Sequence, residues 1–333
     1  MELRRQTHTG EILDPLHGFE PLRTSVEVRW DPLVGYASRL VRGRAPLLSP
    51  TGADLAELAA RTREGCPFCT ERVMTVTPRL PVRVHPSGRI RRGEALLFPN
   101  VLTYWQHSAV SIYSPERHLL PLDEMDATLV SDNLGTQVDF IRAVAASDPA
   151  ASWASINANQ LPPSGSSLFH PHLQGGADPQ PSTLQALFAE VTAERFEEYL
   201  RTERRIGERF IASTGRVRWL ASFAPIGFHE VRAVVAGAAS PAQLDEPAVG
   251  ELGWGIAAIL NLYAELGHQS FNMALFGAPA GHDTLLNLRM VCRSNLGDAY
   301  RSDVMYSERL HWQAMVDTSP EELAERARAR FGR

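Results

Sequence analysis

The sequence of 333 residues predicts a mixed α/β (α+β) fold built from two similar halves. Short apolar runs typical of strands alternate with longer amphipathic stretches typical of helices. Each half has the same order of predicted elements, namely two strands, a helix and two strands. A Gly- and Pro-rich stretch at 175–184 lies between the halves, and this composition is typical of a loop. We therefore predict two domains, residues 1–178 and residues 179–333.

In the first half, residues 49–65 have apolar side chains at helical spacing and end at Gly65, a residue suited to a helix C-cap. The cysteine pair that follows is discussed below. The remaining elements predicted in this half are strands at 94–100 and 107–115, a long amphipathic helix at 122–147 and a strand at 153–160.

The second half begins with a charge-dense segment, residues 193–210, and most of its charged side chains are expected on a solvated helix face. Its expected apolar stripe consists of Phe196, Tyr199, Leu200, Ile206 and Phe210. The elements predicted after it are strands at 216–223 and 229–237, a helix at 246–267, and strands at 271–279 and 284–292. Ser319 and Glu322 have the spacing of a capping box for a final helix, with Pro320 in its first turn.

Composition excludes several function classes. The net charge of −5 gives no basic footprint for nucleic acid. No apolar run reaches the length of a membrane span, and the N-terminus lacks the apolar core of a signal peptide, so we expect a soluble, cytoplasmic protein without membrane partners. All 33 basic residues are arginine, which excludes a lysine Schiff base or a P-loop lysine. Any phosphate group would be held by arginine, backbone amides, hydroxyls or histidine.

Two of the three cysteines form a Cys-x-x-Cys pair, Cys66 and Cys69. A redox motif of this type would open a helix after a strand, whereas this pair follows a predicted helix, so a metal site is favoured. Two thiolates are half of a tetrahedral zinc site, and histidine is the natural source of the other ligands. The third cysteine, Cys292, lies in an apolar strand and is expected to be a small buried hydrophobe.

The segment "HPHLQ" places His170, His172 and Gln174 at strict two-residue spacing. In an extended chain these three side chains point to one face. A buried strand avoids such a row of polar groups unless it uses them. The row is therefore either a solvated strand face or a functional site.

Together these motifs resemble the galactose-1-phosphate uridylyltransferase-like family of the histidine-triad superfamily, in its His-Pro-His-x-Gln branch. "GCPFC" is similar to the zinc knuckle of that family, and "HPHLQ" to its signature. Further similar segments follow in the family's order along the chain: "VRWDPLVG", "LLFPN", "YSPERH" and "NANQLPPSGSS". The resemblance implies two tandem histidine-triad-like lobes, each an antiparallel sheet with packed helices.

The resemblance also implies a chemistry. The second histidine of the signature, here His172, would attack the α-phosphorus of a nucleotide and carry the nucleoside monophosphate covalently. Gln174 would contact the phosphoryl oxygens. As a neutral amide it would leave the intermediate for an acceptor other than water, because it neither gives nor takes a proton. His170 would bind one structural Zn²⁺ together with Cys66 and Cys69.

The fourth zinc ligand implied by the resemblance is His118, in a segment one residue longer than the family's, and His107 is the alternative. Substrate contacts are implied at Asn100, Asn159, Gly165, Ser166, Ser167 and Arg44. Arg39 and Arg42 are alternatives to Arg44 as the phosphate-binding residue. The second metal site of the family is not expected, because Phe276, Asn287 and Arg289 stand where its histidines would be.

The function implied by the resemblance is transfer of a nucleoside monophosphate between a nucleotide sugar, or a nucleoside triphosphate, and a sugar 1-phosphate. One alternative is a nucleotide-sugar phosphorylase that uses inorganic phosphate as acceptor. An alternative of another class is a catalytically silent nucleotide-binding protein. The resemblance further implies a homodimer, and we expect the acceptor's non-reacting end near residues 287–313.

Overall fold

The computed structural model describes residues 1–41, 48, 52–297 and 302–332. Its strands are β1 (Arg5–Asp14), β2 (Glu20–Trp30), β3 (Ala37–Val41), β4 (Ile90–Arg92), β5 (Ala95–Pro99), β6 (His107–Ile112), β7 (Trp153–Gln160), β8 (His172–Asp178), β9 (Phe210–Thr214), β10 (Val217–Ala221), β11 (Phe228–Val235), β12 (Ser270–Phe276), β13 (Leu286–Arg293) and β14 (Ala314–Val316). Its helices are α1 (Leu55–Arg63), α2 (Val73–Val76), α3 (Ala127–Ser147), α4 (Thr183–Ala189), α5 (Ala193–Ile206), α6 (Glu246–Glu265), α7 (Tyr306–His311) and α8 (Pro320–Phe331). Among the described residues, no helix combines the length and the apolar character that crossing a membrane requires.

Ten strands form one antiparallel sheet in the order β4-β5-β6-β8-β7-β12-β13-β11-β10-β9. The first half contributes β4 to β8 and the second half β9 to β13, and the order of one half mirrors that of the other about the β7–β12 junction. The two halves also share the succession of two strands, a long helix and two strands. The predicted α+β class and the repeat of element order are confirmed. The division at 178/179 stays a prediction, since the sheet continues through both halves.

The long helices α3 and α6 pack on one face of this sheet and on each other. Their N-caps are equivalent, because Asp126 accepts from the amide of Leu129 and Asp245 accepts from the amide of Ala248. The helices approach closely at Gly253, where an added Cβ would lie 2.9 Å from the Cα of Ser131. This face forms the main apolar core, which leaves the opposite face of the sheet for polar side chains.

A second sheet has the order β1-β2-β3-β14. The hairpin of β1 and β2 is exposed along most of its length, so it has little of the apolar alternation that predicts strands. Buried ion pairs attach this sheet to the rest of the molecule. Arg29 of β2 contacts Glu321 of α8 at 2.8 Å, and Asp31 contacts Arg232 of β11 at 2.7 Å.

Two predictions about local structure are wrong. Helix α5 ends at Ile206 because Gly207 adopts the left-handed conformation (φ 77°), so Phe210 begins strand β9 instead of extending the helix stripe. Most charged side chains of this segment are accessible to solvent, as predicted, but Glu203 is buried and pairs with buried Arg209 at 3.0 Å. The predicted capping box does not form. Ser319 donates instead to the carboxylate of Glu321 at 2.6 Å.

Glu321 is expected to make the stability of the protein depend on acid pH. Burial alone would raise the pKa of its carboxyl, but hydrogen bonds from Arg29, Ser319 and Arg209 outweigh burial and lower the pKa from 4.5 to about 2. The ionised carboxylate therefore stabilises the fold above pH 4.5, and this contribution is lost as the pH falls toward 2.

The variant Glu321→Gln should lower the free energy of unfolding at pH 7 by about 2 kcal/mol, because two buried guanidinium groups lose the carboxylate charge that balances them. Urea unfolding at several pH values should show this difference shrinking below pH 4.5. The neighbouring exposed residue supplies the control, Glu322→Gln, which should change neither quantity. A difference between wild type and Glu321→Gln that stays constant from pH 7 to pH 2 would contradict the assignment.

Candidate active site and metal centre

Cys66, Cys69, His118 and His170 form a buried group with their ligand atoms within 4.8 Å of one another. The two cysteines follow α1, while the histidines precede α3 and β8. The Nδ1 atom of His118 lies 3.4 Å from the Cys69 sulfur, and the Nδ1 atom of His170 lies 3.8 and 3.7 Å from the sulfurs of Cys66 and Cys69. A tetrahedral zinc site with bonds of about 2.0–2.3 Å has ligand–ligand edges of about 3.5 Å, so the group fits a metal ion.

The tautomers of both histidines also fit a metal. The Nε2–H of His170 donates to the carbonyl of Ser114 at 2.9 Å, which leaves Nδ1 with a lone pair. The hydroxyl of Thr62 donates to the carbonyl of Leu58, so at 3.0 Å it accepts from the Nε2–H of His118. Such outer contacts orient metal-binding imidazoles.

The same surroundings disfavour charge in the absence of a metal. Burial lowers the pKa of His170 to about 4. Burial and the neighbouring Cys66 raise the pKa of the Cys69 thiol to about 12. Metal binding would therefore have to displace thiol protons. The alternative ligand, His107, lies elsewhere and pairs with Asp148 at 2.8 Å.

His172 begins strand β8 and is 5% exposed. Its Nδ1 donates to the carbonyl of His170 at 2.9 Å, which leaves the lone pair of the neutral ring on Nε2. The side-chain amide of Gln174 lies 3.3 Å from that Nε2. Burial lowers the pKa of His172, and the hydrogen bond to His170 opposes this only in part. The site therefore holds a neutral imidazole with its Nε2 lone pair available.

The strand register places His172 and Gln174 in a polar patch at the middle of the large sheet. Gln174 pairs with Asn157, and the pairing continues to Ala158 and Leu173, the residues next to Asn159 and His172. Asn159 pairs in turn with Asn272 of β12. Directly paired residues in antiparallel strands point to the same face, so these five side chains lie together, opposite α3 and α6. Both halves of the chain contribute to the patch.

The other predicted substrate contacts that the structure describes lie in two loops. Gly165 has φ 97°, a conformation suited to glycine, and it lies next to the side-chain nitrogen of Asn159. Ser166 is buried and donates to the carbonyl of Leu168, whereas Ser167 is exposed. Asn100, after β5, accepts from the amide of Leu102 at 3.1 Å. Arg44 and its competitor Arg42 lie outside the described residues, and Arg39 donates to Gln313 at 2.7 Å.

Three polar residues of this patch are not among the site residues predicted from the sequence, namely Asn157, Asn272 and Arg293. The guanidinium of Arg293 donates to the side-chain Oδ1 of Asn272 at 2.6 Å. The side-chain Nδ2 of Asn272 donates in turn to the side-chain Oδ1 of Asn159 at 2.7 Å. This chain leaves the amide nitrogen of Asn159 as a donor beside Gly165. Asn157 and Asn159 alternate as "NAN", a signal that could have identified the first of them. Asn272 and Arg293 become recognisable only through the pairing of the two halves.

The corresponding face of the second half carries a network of buried charges. Arg289 pairs with Glu230 at 2.5 Å, Arg232 pairs with Asp31 at 2.7 Å, and both guanidinium groups contact the hydroxyl of Tyr36. Two cations thus balance two carboxylates.

No family model matches the chain. An uncharacterised protein of Archaeoglobus fulgidus is 30% identical over 336 residues, which cover 98% of each chain. Among solved structures, an ADP-glucose phosphorylase from Arabidopsis thaliana with bound ADP-glucose gives a TM-score of 0.68 at 19% identity, over 91% of this chain and 98% of that one. A galt-like protein from the same plant gives 0.68 at 19% identity, over 90% and 98%. A uridylyltransferase gives 0.60 at 18% identity, over 97% and 99%.

The solved structures share the fold of this chain. The archaeal relative is similar to this chain in sequence along nearly the whole length. The fold predicted from the motifs, tandem histidine-triad-like lobes, is confirmed. The chain belongs to the same family as this uncharacterised archaeal protein, and it shares the fold of the galt-like protein and of the uridylyltransferase.

Proposed function

We propose that this protein transfers a nucleoside monophosphate between phosphate groups through a covalent intermediate on His172. The observation that carries the proposal is the hydrogen bond from His172 Nδ1 to the His170 carbonyl. A carbonyl only accepts, so the ring proton is on Nδ1 and Nε2 is the nucleophilic atom. A catalytically silent nucleotide-binding protein would have no need of this arrangement.

In the proposed first step, the Nε2 lone pair of His172 attacks the α-phosphorus of the donor, and the bond from phosphorus to the bridging oxygen breaks. The leaving phosphate departs as an anion and needs no proton from the protein. The positive charge that develops on the ring is stabilised by the His170 carbonyl through Nδ1–H. In the second step, a phosphate oxygen of the acceptor attacks phosphorus, and the phosphorus–nitrogen bond breaks.

Gln174 is proposed to hold the phosphoryl group during both steps. Its amide lies 3.3 Å from His172 Nε2, so it is within reach of oxygens on a phosphorus bound there. Asn159 and the backbone amides around Gly165 are proposed to donate to the same phosphate. Ser166, Ser167, Asn100 and Arg44 stay proposed contacts on the strength of the family motifs alone.

We further propose that the buried group of Cys66, Cys69, His118 and His170, called the metal group below, holds one structural Zn²⁺. Its ligand set of two sulfurs and two imidazole nitrogens is typical of a closed structural zinc site. Bound zinc would fix the segment around His170 and thereby the carbonyl that sets the tautomer of His172.

The proposed donor is a nucleotide sugar or a nucleoside triphosphate, and the proposed acceptor is a sugar 1-phosphate. Inorganic phosphate is the second candidate acceptor, because an ADP-glucose phosphorylase has the same fold at a TM-score of 0.68. Exchange of label between nucleotide sugars and either sugar 1-phosphates or inorganic phosphate would separate the two. A cytoplasmic location, a homodimer and an acceptor end near residues 287–313 stay expectations.

Removal of one metal ligand should cost both zinc and stability. The variant His118→Asn should lose one equivalent of zinc per chain and melt at a lower temperature, because structural zinc contributes directly to folding. The matched control is His107→Asn. In the wild-type protein the imidazole of His107 pairs with Asp148, so its removal should leave the zinc content unchanged. Elemental analysis and thermal unfolding supply the measurements. Zinc loss in the control together with retention in His118→Asn would reverse the assignment.

His172 should carry the nucleotide. Incubation with the true donor and no acceptor should add the mass of one nucleoside monophosphate to the peptide containing residues 166–176, and acceptor should discharge it. The adduct should be labile in acid and stable in base, as a phosphoramidate is. In His172→Asn, turnover should fall by several orders of magnitude while the donor still binds. The exposed residue of β1 supplies the control His8→Asn, which should keep full turnover. An adduct on another peptide would refute the mechanism.

Gln174→His tests whether the amide protects the intermediate. A histidine at this position can take a proton from water, so the variant should release free nucleoside monophosphate faster than wild type in the absence of acceptor. The measurement is the rate of adduct loss in water, with Gln174→Asn as a control that shortens the side chain but keeps an amide. Equal rates of hydrolysis in Gln174→His and wild type would contradict the proposal that the Gln174 amide protects the intermediate.

A further inference from the structure

A second group of side chains that could hold a metal ion lies in the C-terminal half, away from the polar patch. His229, His268 and Cys292 have their ligand atoms within 4.8 Å of one another. His229 lies in β11 at a register shift, His268 follows α6, and Cys292 lies in β13. The side chain of Cys292 points into the apolar core between the sheet and α6, the face opposite to that of Arg289 and Arg293. This group therefore has no part in the face that carries His172.

The nitrogen atoms of this group are available as ligands. The hydroxyl of Thr318 donates to the carboxylate of Asp317 at 3.3 Å, so at 3.1 Å it accepts from the Nε2–H of His229. This leaves a lone pair on His229 Nδ1, and that atom is buried with no hydrogen-bond partner among the described residues. His268 Nδ1 is also buried and without such a partner. A buried polar atom without a partner costs about 1–3 kcal/mol, and here two such atoms lie side by side.

The backbone at His229 adds an independent observation. Its φ of 52° is in the left-handed region, which is unfavourable for a residue with a side chain. The hydroxyl of Tyr263 donates to the His229 carbonyl at 2.8 Å and helps to hold this conformation. A glycine would adopt it without strain, whereas the imidazole occupies a backbone conformation that is unfavourable for a residue with a side chain.

We propose that His229, His268 and Cys292 bind a second thiophilic metal ion, Zn²⁺, in the C-terminal half. Zinc takes imidazole nitrogen and thiolate sulfur, and three protein ligands are sufficient for a stable site. Binding would draw the ligand atoms together to edges of about 3.5 Å, as in a tetrahedral site. The contact of His229 with Thr318 matches that of His118 with Thr62 in the first metal group.

Charges of both signs surround this group, since Arg326 acts electrostatically on His229. Both imidazoles are largely buried and their Nδ1 atoms have no partner among the described residues, which favours neutral rings with lone pairs to share. Zinc would displace the proton of Cys292, whose thiolate cancels one positive charge. Asp317 acts electrostatically on His268 and supplies a second negative charge nearby. The metal would tie β13 to β11 and to the end of α6, as the first metal group ties β8 to the segment after α1.

The test counts metal ions in the intact protein. After incubation with excess zinc and exhaustive dialysis, wild type should retain two equivalents per chain and His229→Gly one. Glycine suits the φ of 52°, so this variant should fold while lacking a ligand. Cys292→Ser is the second variant and should also retain one equivalent. Phe19→Gly is the matched control, since Phe19 also has a left-handed φ of 64° but lies outside the group, and it should retain two.

Cobalt substitution identifies which site is lost. The difference spectrum between wild type and His229→Gly should show the charge-transfer band of a single thiolate, weaker than that of the site with Cys66 and Cys69. His118→Asn should lose the stronger band and keep the weaker one, which separates this proposal from the first zinc site. Retention of a single equivalent by wild type, or of two by both His229→Gly and Cys292→Ser, would overturn the proposal. Binding of Cu⁺ but not Zn²⁺ by the group would equally refute it.

Discussion

The antiparallel pairing of β7 with β12 joins the two halves of the chain, and the candidate site depends on it. Asn159 lies opposite Asn272 in this pairing, so a hydrogen-bond chain runs from Arg293 in the second half to the loop at Gly165 in the first. A shift of register by one residue would turn every polar side chain of these strands into the helix-covered core. The apolar contacts of α3 and α6 on the opposite face thus fix which residues are available for chemistry.

The two halves use the same face of the sheet in different ways. The first half covers it with the metal group and the imidazole of His172. The second half has guanidinium groups and carboxylates there, with Arg289 on Glu230 and Arg232 on Asp31. These charges are buried and balanced, so the removal of one partner would leave an uncompensated charge inside the protein. The network also attaches the small sheet to the large one, because Asp31 pairs with Arg232.

Much of the fold could be predicted from the sequence, because strong local patterns specify it. The strand at 153–160 was placed correctly by its composition, and the long helix at 122–147 was recognised by its apolar spacing, although its first residues form a separate turn. The hairpin of β1 and β2 was missed because its side chains are mostly exposed and lack alternation. Phe210 was assigned to a helix because periodicity continued beyond the point at which Gly207 ends it.

The candidate site was predictable only where its residues are close in sequence. The spacing within "HPHLQ" and "GCPFC" was visible, but Asn272 and Arg293 reach the patch through long-range strand pairing that no local pattern records. Even within "HPHLQ", only His172 and Gln174 share a strand face, because β8 begins at His172 and His170 precedes it.

That strand boundary explains how two histidines separated by one residue can have different chemistry. His170 lies outside the strand, so its ring turns to Cys66 and Cys69 while its carbonyl remains beside the ring of His172. Its Nε2–H is held by Ser114, which fixes the ring from the other side. The backbone position that sets the tautomer of His172 is therefore determined by the same residue that joins the metal group. Disturbance of the group formed by Cys66, Cys69, His118 and His170 would reach the Nε2 lone pair of His172 through a single carbonyl.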